Sequence, residues 1–238
     1  MKIGVFTVLF GNRPLEETLD YLVDAGVEAV EIGTGAYPGN AHCDPDALLA
    51  DASKLGAFRR AIDQRGLVLS ALSCHGNPLH PDERVAAAHR AVFDKTLELA
   101  ARLGVDRVIT FSGCPGGGPD ETQPNWIVSP WPPEFAEMLE WQWRERVVPY
   151  WTEAAQAARR AGVKVAIEMH PNFVVYNPET MFRLREIAPD VIGCNFDPSH
   201  LFWQGADPVA AIHALGDAIF HVHAKDCRLH RHNIAVNG

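Results

Sequence analysis

Four times along the chain a helix-forming stretch ends in one phrase: Ala25-Gly26-Val27, Arg65-Gly66-Leu67, Leu103-Gly104-Val105 and Ala161-Gly162-Val163. Glycine takes up the left-handed backbone conformation that closes a helix. Within a few residues of each glycine an apolar run begins that reads as a buried strand. The apolar pattern predicts strands over 3–8, 29–32, 68–73, 107–111, 164–168, 191–196 and 219–223. Between them it predicts a helix opening at Pro14, one from Pro45 to about Arg65, and one over Asp82–Leu103. Further helices run from near Glu134 to Ala161 with a break at Pro149, from Pro178, and from Pro208. Seven βα steps of roughly thirty residues require parallel strands joined by crossover helices.

Two architectures satisfy that pattern. A dinucleotide-binding sheet needs G-x-G-x-x-G after the first strand, and Phe6-Thr7-Val8-Leu9-Phe10-Gly11 stands there instead. Polar residues gather at the carboxyl ends of strand after strand, the face that carries the active site of a (β/α)8 barrel. The expected fold class is therefore α/β, of the (β/α)8 TIM-barrel type. Only twelve residues follow Asp226, polar and histidine-rich, with neither an eighth strand nor its helix. The expectation is a single domain over 1–238, seven βα steps long and incomplete at its C-terminus, because an open edge beside the first strand would expose unpaired backbone.

The 238 residues, 47% hydrophobic, suffice for one large core. A formal charge of −9 gives no electrostatic footprint for a polyanion, so nucleic acid is not the expected partner. Five cysteines, odd in number and without CxxC spacing, read as reduced thiols in a cytoplasmic protein. No signal peptide precedes Lys2-Ile3-Gly4-Val5-Phe6, and no apolar run reaches membrane-spanning length. The longest irregular stretch, Pro115 to Pro133, carries Gly116-Gly117-Gly118, several prolines, and two tryptophans, and reads as a functional loop or lid.

Three consecutive strands end in chemistry. Lys164-Val165-Ala166-Ile167-Glu168-Met169-His170-Pro171, then Asn195-Phe196-Asp197-Pro198-Ser199-His200, then His221-Val222-His223-Ala224-Lys225-Asp226 deliver Glu, Asp and His. Neighbouring strands lie about 4.8 Å apart, so Glu168, Asp197 and His223 can converge on one ion. Mixed carboxylate–imidazole ligation suits Mn²⁺, Zn²⁺, Fe²⁺ or Co²⁺, and harder all-oxygen sites suit Mg²⁺. His221 shares the parity of His223; His223 is preferred as the ligand because it is nearer the carboxyl end. His170, two residues past Glu168, faces the same side and is a candidate acid/base, or a ring packed against Pro171 and Phe173. His200 and Lys225 are candidates for holding substrate; His200 could instead support a ligand or cap a helix, and Lys225 could be a surface lysine. His75, at the end of the third strand, and Trp203 are further candidate substrate contacts, with structural packing the alternative for both.

On those three motifs the chain resembles the xylose isomerase-like TIM-barrel superfamily, in particular proteins of the sugar phosphate isomerase/epimerase type, over essentially its whole length. The resemblance implies one divalent metal, Mn²⁺ foremost, on Glu168, Asp197 and His223, with His200 beside metal or substrate. The family's fourth ligand, a glutamate on strand eight that is also half of its proton-transfer pair, has no counterpart here. The implied activity is a metal-dependent sugar isomerase or epimerase of carbohydrate metabolism, with Glu168, or the acid/base candidate His170, as the catalytic residue that removes the proton. It would abstract a proton next to a carbonyl of a sugar or polyol. A lyase or dehydratase on an oxidised sugar or C-glycoside is the alternative, and an endonuclease IV-like metallohydrolase or an inactive fragment stand behind it. The trinuclear zinc centre of that hydrolase needs a histidine on strand four, where Thr110-Phe111-Ser112-Gly113 stands. Substrate identity and homo-oligomerisation stay open at this level.

Overall fold

A computed structural model describes residues 1–237. The chain forms two compact units. One comprises Met1–Pro78, Asp82–Thr110 and Gln156–Lys164, and the other Leu79–Pro81, Phe111–Ala155 and the chain from Val165 onward.

In the first unit four strands, β1 (Gly4–Phe6), β2 (Ala29–Gly33), β3 (Val68–Ser73) and β4 (Arg107–Thr110), pair in parallel and in sequence order. Helices α1 (Leu15–Asp24), α2 (Pro45–Ala50), α3 (Ala52–Asp63) and α4 (Glu83–Leu103) alternate with them. β2 is wholly buried and β3 and β4 largely so, with Val30, Ile32, Ala71, Leu72, Val108 and Ile109 fully enclosed, as continuous apolar runs in parallel sheets should be, whereas β1 is partly exposed. Gly104 ends α4 at φ 67°, and Gly26, Gly66 and Gly162 share that left-handed geometry. The repeated phrase is thus a helix stop.

Three expected boundaries move. The first strand stops at Phe6 because the chain turns through a 3₁₀ segment, Thr7–Phe10, and Pro14 sits one place before the first helical residue. The helix expected from Pro45 to about Arg65 is two helices. Asp51 leaves the helical conformation and accepts from the Ser53 and Lys54 backbone N–H groups, capping α3.

In the second unit β5 (Lys164–Glu168, its first residue counted with the first unit), β6 (Ile192–Phe196) and β7 (Ile219–Val222) also pair in parallel. Helices α5 (Glu134–Trp141), α6 (Val148–Ala161), α7 (Pro178–Arg185), α8 (Ser199–Phe202), α9 (Pro208–Leu215) and α10 (Arg231–Asn237) complete the chain. Between α5 and α6 the helix widens into a π-helical stretch, Gln142–Val147. Pro149 explains it: without an N–H it cannot serve the carbonyl four residues back, and the ladder shifts to wider spacing upstream. This places the disturbance before the proline. The polar tail after Asp226 holds the short α10, exposed throughout, and among the described residues no strand follows β7. All strands are parallel and alternate with helices, the TIM-barrel type of fold carried through seven strands.

The long loop is held chiefly by one side chain. The buried Gln142 amide donates to the carbonyls of Gly116 (3.1 Å) and Asn125 (2.7 Å), and Glu121 accepts from Gly117 N–H at 2.7 Å. Cys43, Cys74, Cys114 and Cys194 are buried, unbridged thiols. Burial pushes Cys43, Cys74 and Cys114 up to about 12, so they are inert packing groups. None of the described helices is long and apolar enough to cross a membrane.

Gly193 tests the packing of β6 on β7. A Cβ there would fall inside the van der Waals envelope of the Phe220 ring, on which the Arg185 guanidinium sits 6.0 Å from the centroid. Gly193→Ala should therefore destabilise by about 1–3 kcal/mol, the usual penalty of an overpacked core. A urea midpoint equal to that of the parent would show that the ring moves freely.

Candidate metal centre and active site

The register of the second unit explains why three strands meet at one point. Glu168 pairs with Asn195, and Asn195, after an irregularity at Cys194/Asn195, pairs with His221. These residues form one row across the sheet. Residues two further on share their face, which brings Asp197 and His223 into the next layer. The His223 N–H is bound to the Phe196 carbonyl at 2.9 Å, continuing the ladder past the end of β7.

The side chains converge. His223 Nδ1 lies 3.1 Å from Glu168 Oε2, and one ligand atom from each of Glu168, Asp197 and His223 falls within 4.8 Å of the other two. Glu168 is 5% exposed and Asp197 0%. Asp197 Oδ1 accepts from Ser199 N–H at 2.9 Å, and Oδ2 faces Lys225 Nζ at 2.7 Å and His200 Nε2 at 3.3 Å. Two buried carboxylates and an imidazole nitrogen facing one of them make a donor set suited to a borderline divalent cation. The residues present fit such an ion.

His200 Nε2 is also 3.1 Å from Glu168 Oε1, and so stands between the two carboxylates. Burial opposes its protonation, but the hydrogen bonds to Asp197 and Glu168 outweigh burial and raise its pKa above the ordinary imidazole value. Asp197 shows the mirror image: burial pushes it up, and the contacts from His200, Lys225 and Ser199 bring it below the usual carboxylate range.

His170 lies in the same group, within reach of Glu168 and His200. Its ring is 4.2 Å from that of His200, 4.7 Å from Phe111 and 5.6 Å from Phe173. The two readings of His170 therefore coexist, a packed ring beside the carboxylates. Nδ1 is 2.7 Å from the Pro171 carbonyl, which can only accept, so Nδ1 carries the proton and Nε2 is left as a base. Burial lowers the His170 pKa, with the Pro171 bond offsetting part of the effect.

Lys225 joins the cluster at 3.2 Å from His200 Nε2. Trp203 follows α8 and is 49% exposed. His75 belongs to the first unit, 5% exposed, its ring 6.0 Å from that of Phe6. Asn195 was not among the sequence candidates, although it is fully buried and touches both Glu168 and His223 at 3.0 Å. The register opposite Glu168 is its signal, and register is not visible in a lone strand. A cavity of about 320 Å³ beside the long loop, lined by Trp126, Trp143, Tyr176 and Arg183 among others, includes no residue of the cluster. Charge and ligand geometry, not volume, mark the candidate site.

Comparison with known proteins follows the same line. The family model described as xylose isomerase-like TIM barrel matches residues 19–235. The uncharacterized protein YfiH of Bacillus subtilis is 44% identical over 100% of this chain and 77% of its own length. The rhizopine catabolism protein MocC of Rhizobium meliloti is 29% identical, over 92% of this chain and 60% of its own. Among solved structures, the 3-keto-D-glucoside 4-epimerase YcjR of E. coli superposes with a TM-score of 0.69 at 18% identity, covering 99% of this chain and 86% of that one. The chain belongs to the xylose isomerase-like TIM barrel family.

Proposed function

We propose that the protein is a divalent-metal-dependent isomerase or epimerase that moves a proton at the carbon next to a carbonyl of a sugar or polyol. The observation that carries this is the convergence of Glu168, Asp197 and His223 ligand atoms within 4.8 Å, with His170 grouped about the same Glu168. Membership of a family that includes sugar epimerases supports it. When bound, the cation supplies Lewis-acid polarisation of the carbonyl oxygen; Mn²⁺ is the first choice for this mixed donor set.

The chain's own residues do the rest. Glu168 and Asp197 bring the negative charge that holds the cation, and His223 brings a neutral nitrogen. Glu168 and His170 handle the carbon-bound proton: burial disfavours the His170 imidazolium, and the Nδ1 bond to Pro171, which offsets part of that effect, fixes the tautomer in which Nε2 is the base. Lys225, beside Asp197 in this structure, has its charge freed for a substrate oxygen once a cation serves that carboxylate. His200 donates to substrate from the same side, and Trp203 is proposed as an outer substrate contact.

The test is solvent-proton exchange. With Mn²⁺ in D₂O, the protein should introduce deuterium next to the carbonyl of at least one member of a panel of ketohexoses and cyclic ketopolyols, and EDTA should stop it. Exchange that persists in EDTA, or a bound-metal count of three per chain, would reject the assignment; elimination of water after exchange would make the enzyme a dehydratase. Asp197→Asn should lower Mn²⁺ affinity by more than the roughly 100-fold that loss of an outer contact costs. Unchanged metal content in the purified variant would remove Asp197 from the ligand set.

A further inference from the structure

We infer that Gln204 is a positioning residue that locks the backbone carrying His200 to the loop carrying His170, so that the two imidazoles act from one fixed arrangement. The inference rests on the proton-transfer reading above and extends it to a residue that reading does not use.

His170 and His200 stand on different elements. His170 lies in the loop between β5 and α7, and His200 belongs to the single turn of α8. Their rings are 4.2 Å apart. The loop is closed on itself by the His170 N–H, which donates to the Val175 carbonyl at 3.1 Å. The next carbonyl, that of Tyr176, faces Gln204: the side-chain Nε2 donates to Tyr176 O at 3.2 Å and to His200 O at 2.6 Å. Both partners are carbonyls, which only accept, so the amide has one orientation, its NH₂ end facing the pair with a hydrogen for each. The Gln204 backbone N–H goes to the Leu201 carbonyl instead, at 3.0 Å. The side chain thus supplies the donor that the end of a one-turn helix does not offer to the His200 carbonyl.

The bridge has a consequence for the chemistry. His200 is held at its ring by Glu168 at 3.1 Å and Asp197 at 3.3 Å, and at its carbonyl by Gln204. The same amide fixes the far end of the segment that presents His170. A base and a substrate donor that serve one carbon must keep their spacing, and a displacement of about 1 Å can cost on the order of 10²-fold in rate. The hydrogen bonds of Gln204 go to this backbone and not to Glu168, Asp197 or His223, so the proton-handling groups depend on it and the cation ligands do not.

The experiment compares Gln204→Ala, which deletes the bridge, with Gln204→Glu, which keeps the size and sets a carboxylate against the two carbonyls. In metal-free protein, amide hydrogen exchange should show the His170 N–H losing roughly tenfold or more of its protection in both variants while the amides of β5 keep theirs, a local opening without global unfolding. With Mn²⁺ bound, kcat for solvent-proton exchange should fall by roughly 10–100-fold, the cost of misplaced reacting groups, and Mn²⁺ affinity by calorimetry should stay parental. Parental protection at His170 in both variants, or a parental kcat, would overturn the assignment. So would protection lost equally across β5, or Mn²⁺ affinity falling in step with kcat, since either would make Gln204 a support of the fold alone. A wild type that introduces no deuterium into any substrate would overturn the proton-transfer reading, while the amide exchange, recorded without metal or substrate, still decides whether Gln204 locks the loop.

Discussion

Glu168→Gln should abolish Mn²⁺ binding and reduce proton exchange by roughly 10³-fold or more, the upper part of the range for losing an acid/base group. The substitution removes a charge and almost nothing else, since glutamine fills the same volume. In this structure Glu168 serves three neighbours at once: Oε1 faces His200 at 3.1 Å, and Oε2 faces His223 at 3.1 Å and Asn195 at 3.0 Å. A glutamine amide sets an NH₂ against donors on one side or the other and leaves Asp197 as the only carboxylate for the cation. Circular dichroism close to the parent would show that the fold is kept. His170→Gln separates the two roles of the cluster, because it should spare Mn²⁺ affinity and depress exchange. A Glu168→Gln protein with parental turnover would remove Glu168 from the chemistry altogether.

Trp151→Ala should cost about 3–5 kcal/mol of stability, the range for deleting a large buried aromatic. Trp151 is 0% exposed and donates its indole N–H to the Ser112 carbonyl at 2.9 Å. The alanine variant loses that packing and leaves a buried carbonyl unpaired. The effect should travel. Ser112 Oγ accepts from Val175 N–H at 3.0 Å, Gly113 O accepts from Val174 N–H at 3.0 Å, and Val175 O accepts from His170 N–H at 3.1 Å. One indole thus anchors the loop that presents His170, so proton exchange should fall along with the urea midpoint. A loss below about 1 kcal/mol, the scale of an ordinary surface change, would mean that the pocket around the indole collapses on substitution.

What the sequence made legible followed from local rules. Strands 164–168 and 68–73 and the helix starting at Pro178 fall where the apolar pattern and the prolines put them, because an apolar run after a helix-closing glycine has few alternatives. The end of β1 did not, since Thr7-Val8-Leu9-Phe10 is as apolar as a strand and only tertiary contacts choose the 3₁₀ turn. The split at Asp51 was readable in principle from Asp51-x-Ser53, a capping pattern inside an otherwise periodic helix. Of the site, Glu168, Asp197, His170, His200, His223 and Lys225 come together in one cluster: parity along the strands and their extensions fixes the face for all but His200, which comes in from the single turn of α8. Asn195 escaped notice because its role depends on which residue pairs across the sheet, and a one-residue change of register would point it away.

The central claim, that Glu168, Asp197 and His223 grip one divalent cation, is tested most directly by crystals grown with Mn²⁺ and an anomalous difference map. The account predicts a single peak bonded to a carboxylate oxygen of Glu168, a carboxylate oxygen of Asp197 and the Nδ1 of His223. A peak bonded to other residues, several peaks in the cluster, or none at saturating Mn²⁺ would contradict it.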